Sequence, residues 1–270
     1  MELREIAGAV AAVPECHPLA FIAEAGGMRL YDPPLTAVAR ADDPLFGGLK
    51  DEAAVGPAHL GPREWMAEAK SVVSFFFPFS EEVRRSNRGL GDPSFEWLYG
   101  RIEGESLLRA AVAAGVAAIR AAGGRAISPA SDPRFRVVDR RSNWSERHVA
   151  YVAGLGTFSL SRSLITEAGS AGRLGSLVTD IPLEATPRPY AGLEEYCSKC
   201  GACMARCPPK AISALGKDNA ACSGYLDEVK LRFAPRYGCG KCQTAVPCAA
   251  GIPPRLGTAA PSVPIFPGAP

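Results

Sequence analysis

The run CSKCGACMARCP, from Cys197 to Pro208, decides how this chain is read. Its cysteines stand at C-x2-C-x2-C-x3-C with a proline after the last, a spacing used by thiolates that ligate bacterial iron–sulfur clusters. Cys197, Cys200 and Cys203, each two residues from the next in a tight loop, turn inward onto three irons of one cubane. Gly201 allows the backbone such a loop requires. Cys207 follows a longer step beside Pro208 and is aimed at a neighbouring cluster. Zinc sites favour two separated C-x2-C pairs closing a tetrahedron, which three thiolates in close succession do not match.

Working outward, the sequence supplies four more cysteines: Cys222, the pair Cys239-Gly-Lys-Cys242, and Cys248. Eight thiolates serve two [4Fe–4S] clusters. In a crossed arrangement Cys197, Cys200 and Cys203 pair with Cys248, while Cys222, Cys239 and Cys242 pair with Cys207. An uncrossed arrangement satisfies the same arithmetic. The ninth cysteine, Cys16 beside His17, reads as a small buried hydrophobe. Clustering of eight thiols in one region argues against disulfides spread through a secreted fold.

The remaining sequence is that of a globular protein: 270 residues, 47% hydrophobic and 21% charged. A net charge of +2 gives no whole-chain field that would recruit nucleic acid or a membrane. The N-terminus has no basic region leading into an apolar run, and Leu107 to Ile119 is interrupted by Arg109 and too short to span a bilayer. The expectation is a cytoplasmic protein with no membrane association, whose thiols stay reduced.

SVVSFFFPF, Ser71 to Phe79, predicts a buried strand, and a helix is expected from about Ser94 to Ala122, stopped by Gly123-Gly124. Shorter strands are expected at Arg125–Ser128, Phe135–Val138, Ser163–Thr166 and Gly175–Ile181. Asn143-Trp-Ser-Glu146 resembles a capping box opening a helix over Glu146–Ala153 that ends on Gly154. Residues 2–26 predict short helices broken at Pro14 and Pro18, and 31–62 read as loop. The fold class is therefore α+β: an α/β N-terminal domain over 1–190, its sheet flanked by helices, then a small ferredoxin-like double-cluster domain over 191–252 and a Pro/Gly-rich tail over 253–270.

Taken in order, several stretches resemble the epoxyqueuosine reductase family of iron–sulfur, cobalamin-dependent reductases, and more distantly the reductive dehalogenases. They are Val138-Asp139, the pair Glu146-Arg147, Gly154-Leu-Gly156, Gly175 to Asp180, the cysteine run, Cys222-Ser-Gly-Tyr225-Leu226 and Tyr237-Gly-Cys239-Gly-Lys-Cys242-Gln243. The resemblance implies a corrinoid in the N-terminal domain, with two clusters relaying electrons to its cobalt for reduction of a substrate. It matches Asp139 to the family's acidic proton donor, and Tyr99 and Arg101 to a tyrosine–arginine region upstream. Two departures stand out. Arg140 to Ser145 lacks the proline usual before the Glu-Arg pair, and the expectation is a short form without the C-terminal helical-repeat domain of many family members.

Arg134, Arg136, Arg140, Arg141 and Arg147 surround Asp139 in sequence. Guanidinium forks suit the phosphate or carboxylate of a corrinoid or nucleotide, which makes Arg141 a candidate contact; a solvated face explains the same arginines. His148 is a candidate proton donor or cobalt ligand. The expected reaction is electron delivery from two [4Fe–4S] clusters to cobalamin, fed by an upstream ferredoxin, flavodoxin or reductase, for a small or nucleoside-type substrate; tRNA is possible but not favoured. The alternatives are a dicluster electron-transfer protein and a reductase that activates a corrinoid protein.

Overall fold

The computed structural model describes residues 1–254, so nearly all of the expected 253–270 tail lies outside the described residues. Its central sheet has four antiparallel strands. These are β1 (Leu35–Arg40), β2 (Ser71–Pro78), β3 (Ala126–Ile127) and β4 (Gly172–Thr179), in the order β1-β2-β4-β3. The β2–β4 register runs from Ser71 opposite Thr179 to Pro78 opposite Gly172, and β1 pairs with β2 from Arg40 opposite Ser71. Every residue of β2 is buried. Side chains alternate across a strand, so Val73, Phe75 and Phe77 enter one core while Val72 and Phe76 enter the other.

Helices cover both faces. On one lie α1 (Leu3–Cys16) and the 27-residue α2 (Phe95–Ala121), whose Leu107, Leu108, Ala111, Val112 and Ile119 meet Ile6 and Val10 of α1 and Leu177 of β4. Gly115 permits that approach, since a Cβ there would come within 2.8 Å of Val10 Cγ2. Ser94 caps α2, its hydroxyl accepting from the Trp97 N–H at 3.2 Å. The opposite face is covered by α3 (Glu146–Ala153), which buries Val149, Ala150, Val152 and Ala153 beside Trp144, Phe158 and Val178. Each fully buried Val, Leu, Ile or Phe among them contributes about 1.5–3 kcal/mol.

The cysteine-bearing segment follows. It comprises α4 (Ala202–Arg206), a two-stranded ladder of Ile212–Ser213 with Gly216–Lys217, and α5 (Asn219–Phe233), capped by Asp218 through the Ala220 and Ala221 N–H groups. Its own apolar cluster is small, built on Leu160, Cys203, Cys207, Ala211, Ile212 and Val246. Contacts with the sheet-bearing part therefore hold it in place: Asn87 Nδ2 donates to the Cys239 carbonyl (2.9 Å), Arg236 pairs with Glu103 (2.6 Å), and the Tyr196 N–H donates to Thr157 Oγ1 (2.8 Å).

Four local expectations need correction. Residues 35–40 form strand, not loop, because pairing along Ser71–Phe76 outweighs the weak β preference of Ala37 and Ala39. Pro14 does not break α1: it is buried on the same face as Ile6 and Val10, and packing against α2 offsets the lost backbone bond. Ser145, not Asn143, is the N-cap of α3, and no side chain caps it. Asn143 instead closes a hairpin, accepting from the Arg136 N–H and donating to the Arg134 carbonyl (2.9 Å each). Cys16 is exposed rather than buried. Among the described residues no helix is long and apolar enough to cross a membrane.

Candidate iron–sulfur and reductase site

Two loops shape the cysteine region. In the first, Lys199 (φ 54°) and Gly201 (φ 74°) take left-handed backbone on either side of Cys200, and Gly201 turns the chain into α4, which carries Cys203. In the second, Gly240 (φ 67°) lies flat on Trp97; a Cβ there would fall 1.9 Å from Trp97 Cε2. No other residue fits that contact between Cys239 and Cys242.

One set of thiols shares a pocket, and another is linked through Cys242. Cys197, Cys200, Cys203 and Cys248 line one pocket, walled by Leu160, Ile165 and Val246 and by the hydroxyl-bearing Ser159 and Ser161. The Ser170 hydroxyl points at Cys248 Sγ (3.8 Å). In the other group, Cys242 is close enough to Cys222 and Cys207, and Cys239 to Cys242 and Cys222, for each thiol to disfavour ionisation of its neighbour. The groups adjoin, since Cys203 feels Cys242 as well as its own three companions. Burial, ahead of these thiol neighbours, pushes Cys203 and Cys239 up to about 11. The Ala211 N–H donates to Cys207 Sγ at 3.2 Å, and the Lys241 N–H to the Cys239 thiol. Among the described residues, no three His, Cys, Asp or Glu side chains converge on a point that would hold a single ion. Four thiols set around a shared space suit a cubane, where each ligates a different iron.

The surroundings of the two groups differ in charge. Beside the second lie Arg147 and Lys217, the Arg206 guanidinium on the Lys241 carbonyl (3.1 Å), and Lys241 itself. The first is lined by serine hydroxyls, and Lys199 on its loop is ion-paired with Glu194.

The other residues singled out by sequence occupy separate settings. Tyr99 is buried with its ring near Phe95 and the Arg236 guanidinium. Arg101 lies over the Tyr237 ring at 4.9 Å and donates to its hydroxyl at 3.1 Å, close to the second cysteine loop. Asp139 is exposed at the tip of a hairpin (Val137–Val138 with Arg141–Ser142), where it and Arg140 take φ 49° and 64°. Arg141 anchors that hairpin, donating to the Glu52 carboxylate (3.0 Å) and the Val55 carbonyl (3.1 Å). His148 Nδ1 bonds Ser145 Oγ at 2.7 Å; burial, then Arg147, His59 and Arg162, push its imidazole down to about 3, so the ring is neutral. No hydrogen bond, ion pair or ring contact joins any two of Tyr99, Arg101, Asp139, Arg141 and His148.

Three features were not evident in the sequence. Both carboxylate oxygens of Glu146 are buried without a hydrogen-bond partner, next to Ser176 and Trp144, and burial pushes the group up to about 8. Arg173 on β4 pairs with Glu105 on α2; burial works to raise the Glu105 carboxyl, but Arg173 and Arg109 outweigh it and hold it below the ordinary range. Lys241 is fully buried. Glu146 and Lys241 fall inside the quoted motifs, but nothing local to them signals burial.

No protein-family model matches the chain. Over 115 residues it is 36% identical to the epoxyqueuosine reductase of Bacillus subtilis (strain 168), a match covering 38% of this chain and 28% of that protein. Over 114 residues it is 40% identical to that of Escherichia coli (strain K12), covering 38% and 29%. Over these stretches the chain is similar to epoxyqueuosine reductases. The match spans less than a third of the length of either relative. Two solved structures share the fold: an epoxyqueuosine reductase (TM-score 0.52, 22% identity, 82% of this chain and 63% of that one) and a catabolic reductive dehalogenase (TM-score 0.54, 20% identity, 81% and 30%). Another epoxyqueuosine reductase of this fold was solved with an epoxyqueuosine-modified tRNA stem loop (TM-score 0.51, 21% identity, 84% of this chain and 64% of that one).

Proposed function

We propose that this chain is an iron–sulfur oxidoreductase. One [4Fe–4S] cluster is held by Cys197, Cys200, Cys203 and Cys248, and a second by Cys207, Cys222, Cys239 and Cys242. These clusters occupy a small ferredoxin-like unit over 191–252 and deliver electrons to a cofactor in residues 1–190. The observation that carries this reading is the sorting of eight thiols into two adjoining groups of four, one of them lining a single pocket. The crossed assignment rests on the same sorting. Iron binding replaces the thiol protons, and hydrogen bonds such as that from the Ala211 N–H to Cys207 Sγ stabilise the resulting thiolates.

For the cofactor we infer cobalamin, from the likeness to the epoxyqueuosine reductases; when bound it supplies a strongly reducing cobalt. Arg101 and Tyr99 sit where the N-terminal part meets the second cysteine loop and are proposed to position that cofactor, together with Arg141 and His148. Neutral His148 offers an imidazole nitrogen rather than a proton. Asp139 is the proposed proton donor, on a hairpin exposed to incoming substrate. Glu146 is a second acid, buried and still protonated at neutral pH.

The substrate is proposed to be small or nucleoside-like, since a net charge of +2 attracts tRNA phosphates weakly. Electrons come from a ferredoxin, flavodoxin or dedicated reductase in the cytoplasm. A second reading is that the chain carries electrons to a partner or reactivates a partner's corrinoid; the lack of any direct bond among Tyr99, Arg101, Arg141 and His148 is compatible with it. Titrating cobalamin into the iron-loaded chain separates the two. A saturable change in the cobalamin spectrum is expected from a reductase with its own cofactor, and an unchanged spectrum at excess cofactor leaves the carrier.

A further inference from the structure

Lys241 lies between Cys239 and Cys242, with a relative exposure of 1%. Its Nζ donates to three oxygens: the Asn87 carbonyl (3.3 Å), Asn87 Oδ1 (3.0 Å) and the Asp92 carbonyl (3.0 Å). The amide orientation of Asn87 is fixed independently. Its Nδ2 donates to the Cys239 carbonyl (2.9 Å), and its Oδ1 accepts from the Ser94 N–H (3.1 Å). All three groups facing Nζ are therefore acceptors, and only an ammonium, with three protons and no lone pair, satisfies them.

The charge has no carboxylate on it. The Asp92 carboxylate is taken by Arg232 at 2.6 Å, and Arg206, on the Lys241 carbonyl, adds a second cation nearby. A buried positive charge with no carboxylate in contact, only partly offset by the Asp92 carboxylate nearby, favours the more negative, reduced state of a cluster beside it, because little solvent intervenes to screen it. The other cysteine group is lined by serine hydroxyls, and the lysine on its loop, Lys199, is half-exposed and neutralised by the Glu194 carboxylate.

Resting on the cluster assignment above, we propose that Lys241 is a fixed positive charge that raises the reduction potential of the cluster on Cys207, Cys222, Cys239 and Cys242 above that of its neighbour. The two centres are then unequal. Under partial reduction the electron resides on the second cluster, beside Arg101 and Tyr237.

The test is a redox titration followed by electron paramagnetic resonance on the anaerobically iron-loaded full chain, comparing wild type with Lys241→Met and Lys241→Arg. In Lys241→Met the higher of two midpoints is expected to move to more negative potential while the lower stays, and Lys241→Arg is expected to keep both. An unmoved midpoint in Lys241→Met at full iron content overturns the proposal, as does an equal shift in Lys241→Arg. Should Lys241→Met lose its clusters, Cys248→Ser decides: it is expected to alter the lower-potential signal, and alteration of the higher-potential signal alone overturns the proposal. An iron-free wild type would instead remove the cluster reading itself.

Discussion

Burial, outweighing the pull of Ser176 and Trp144, pushes the Glu146 carboxyl up to about 8, so it keeps its proton at neutral pH. The sign of its effect on stability follows. A carboxyl raised to about 8 from an ordinary 4.5 contributes its full stability below the ordinary value and loses it as pH rises through the folded value. Glu146→Gln removes that dependence. Wild type is expected to lose urea resistance relative to Glu146→Gln between pH 5 and 9, by on the order of a few kcal/mol. Parallel urea midpoints for the two proteins across that range would mean the carboxyl is solvated. Asp139 is exposed, so Asp139→Asn is expected to keep full iron content while losing reductase turnover. Turnover at the wild-type rate would return Asp139 to the role of a surface charge.

At the scale of elements, the second cysteine loop depends on one backbone contact, Gly240 against Trp97. Gly240→Ala strains a left-handed residue and drives a methyl into a buried ring, so the loop must lift. The expected outcome is lower iron content and a lower melting temperature, read by iron assay and calorimetry; wild-type values for both would show that the loop accommodates the methyl. The elements differed in how far sequence disclosed them. Ser71–Pro78 was legible from its run of β-branched and aromatic residues, and the helix from Phe95 from apolar residues recurring at helical spacing. Leu35–Arg40 was not, since it is strand only through its pairing with Ser71–Phe76. Asn143 carries a helix-cap signal, but the hairpin amides at Arg134 and Arg136 claim its side chain. Likewise the cysteine run shows its chemistry in local spacing, whereas the burial of Lys241 depends on Asn87, 154 residues away.

For the whole molecule, the cysteine segment has too small an apolar cluster to fold on that alone, and contacts with the sheet-bearing part position it on both sides: Asn87 to Cys239, Arg236 to Glu103 and Arg101 to Tyr237 near the second cysteine loop, and Tyr196 to Thr157 and Ser170 to Cys248 near the first thiols. The crossed assignment makes each cluster depend on a thiol from the other end of the segment. Cys207→Ala is accordingly expected to damage the cluster served by Cys222, Cys239 and Cys242, seen as loss of one of two paramagnetic signals. Loss confined to the cluster of Cys197, Cys200 and Cys203 would reverse the assignment. The most direct test of the central claim is the iron and acid-labile sulfide content of the full chain prepared without oxygen. Two clusters require a brown protein with about eight of each per chain; a colourless protein that binds zinc in their place would contradict the account.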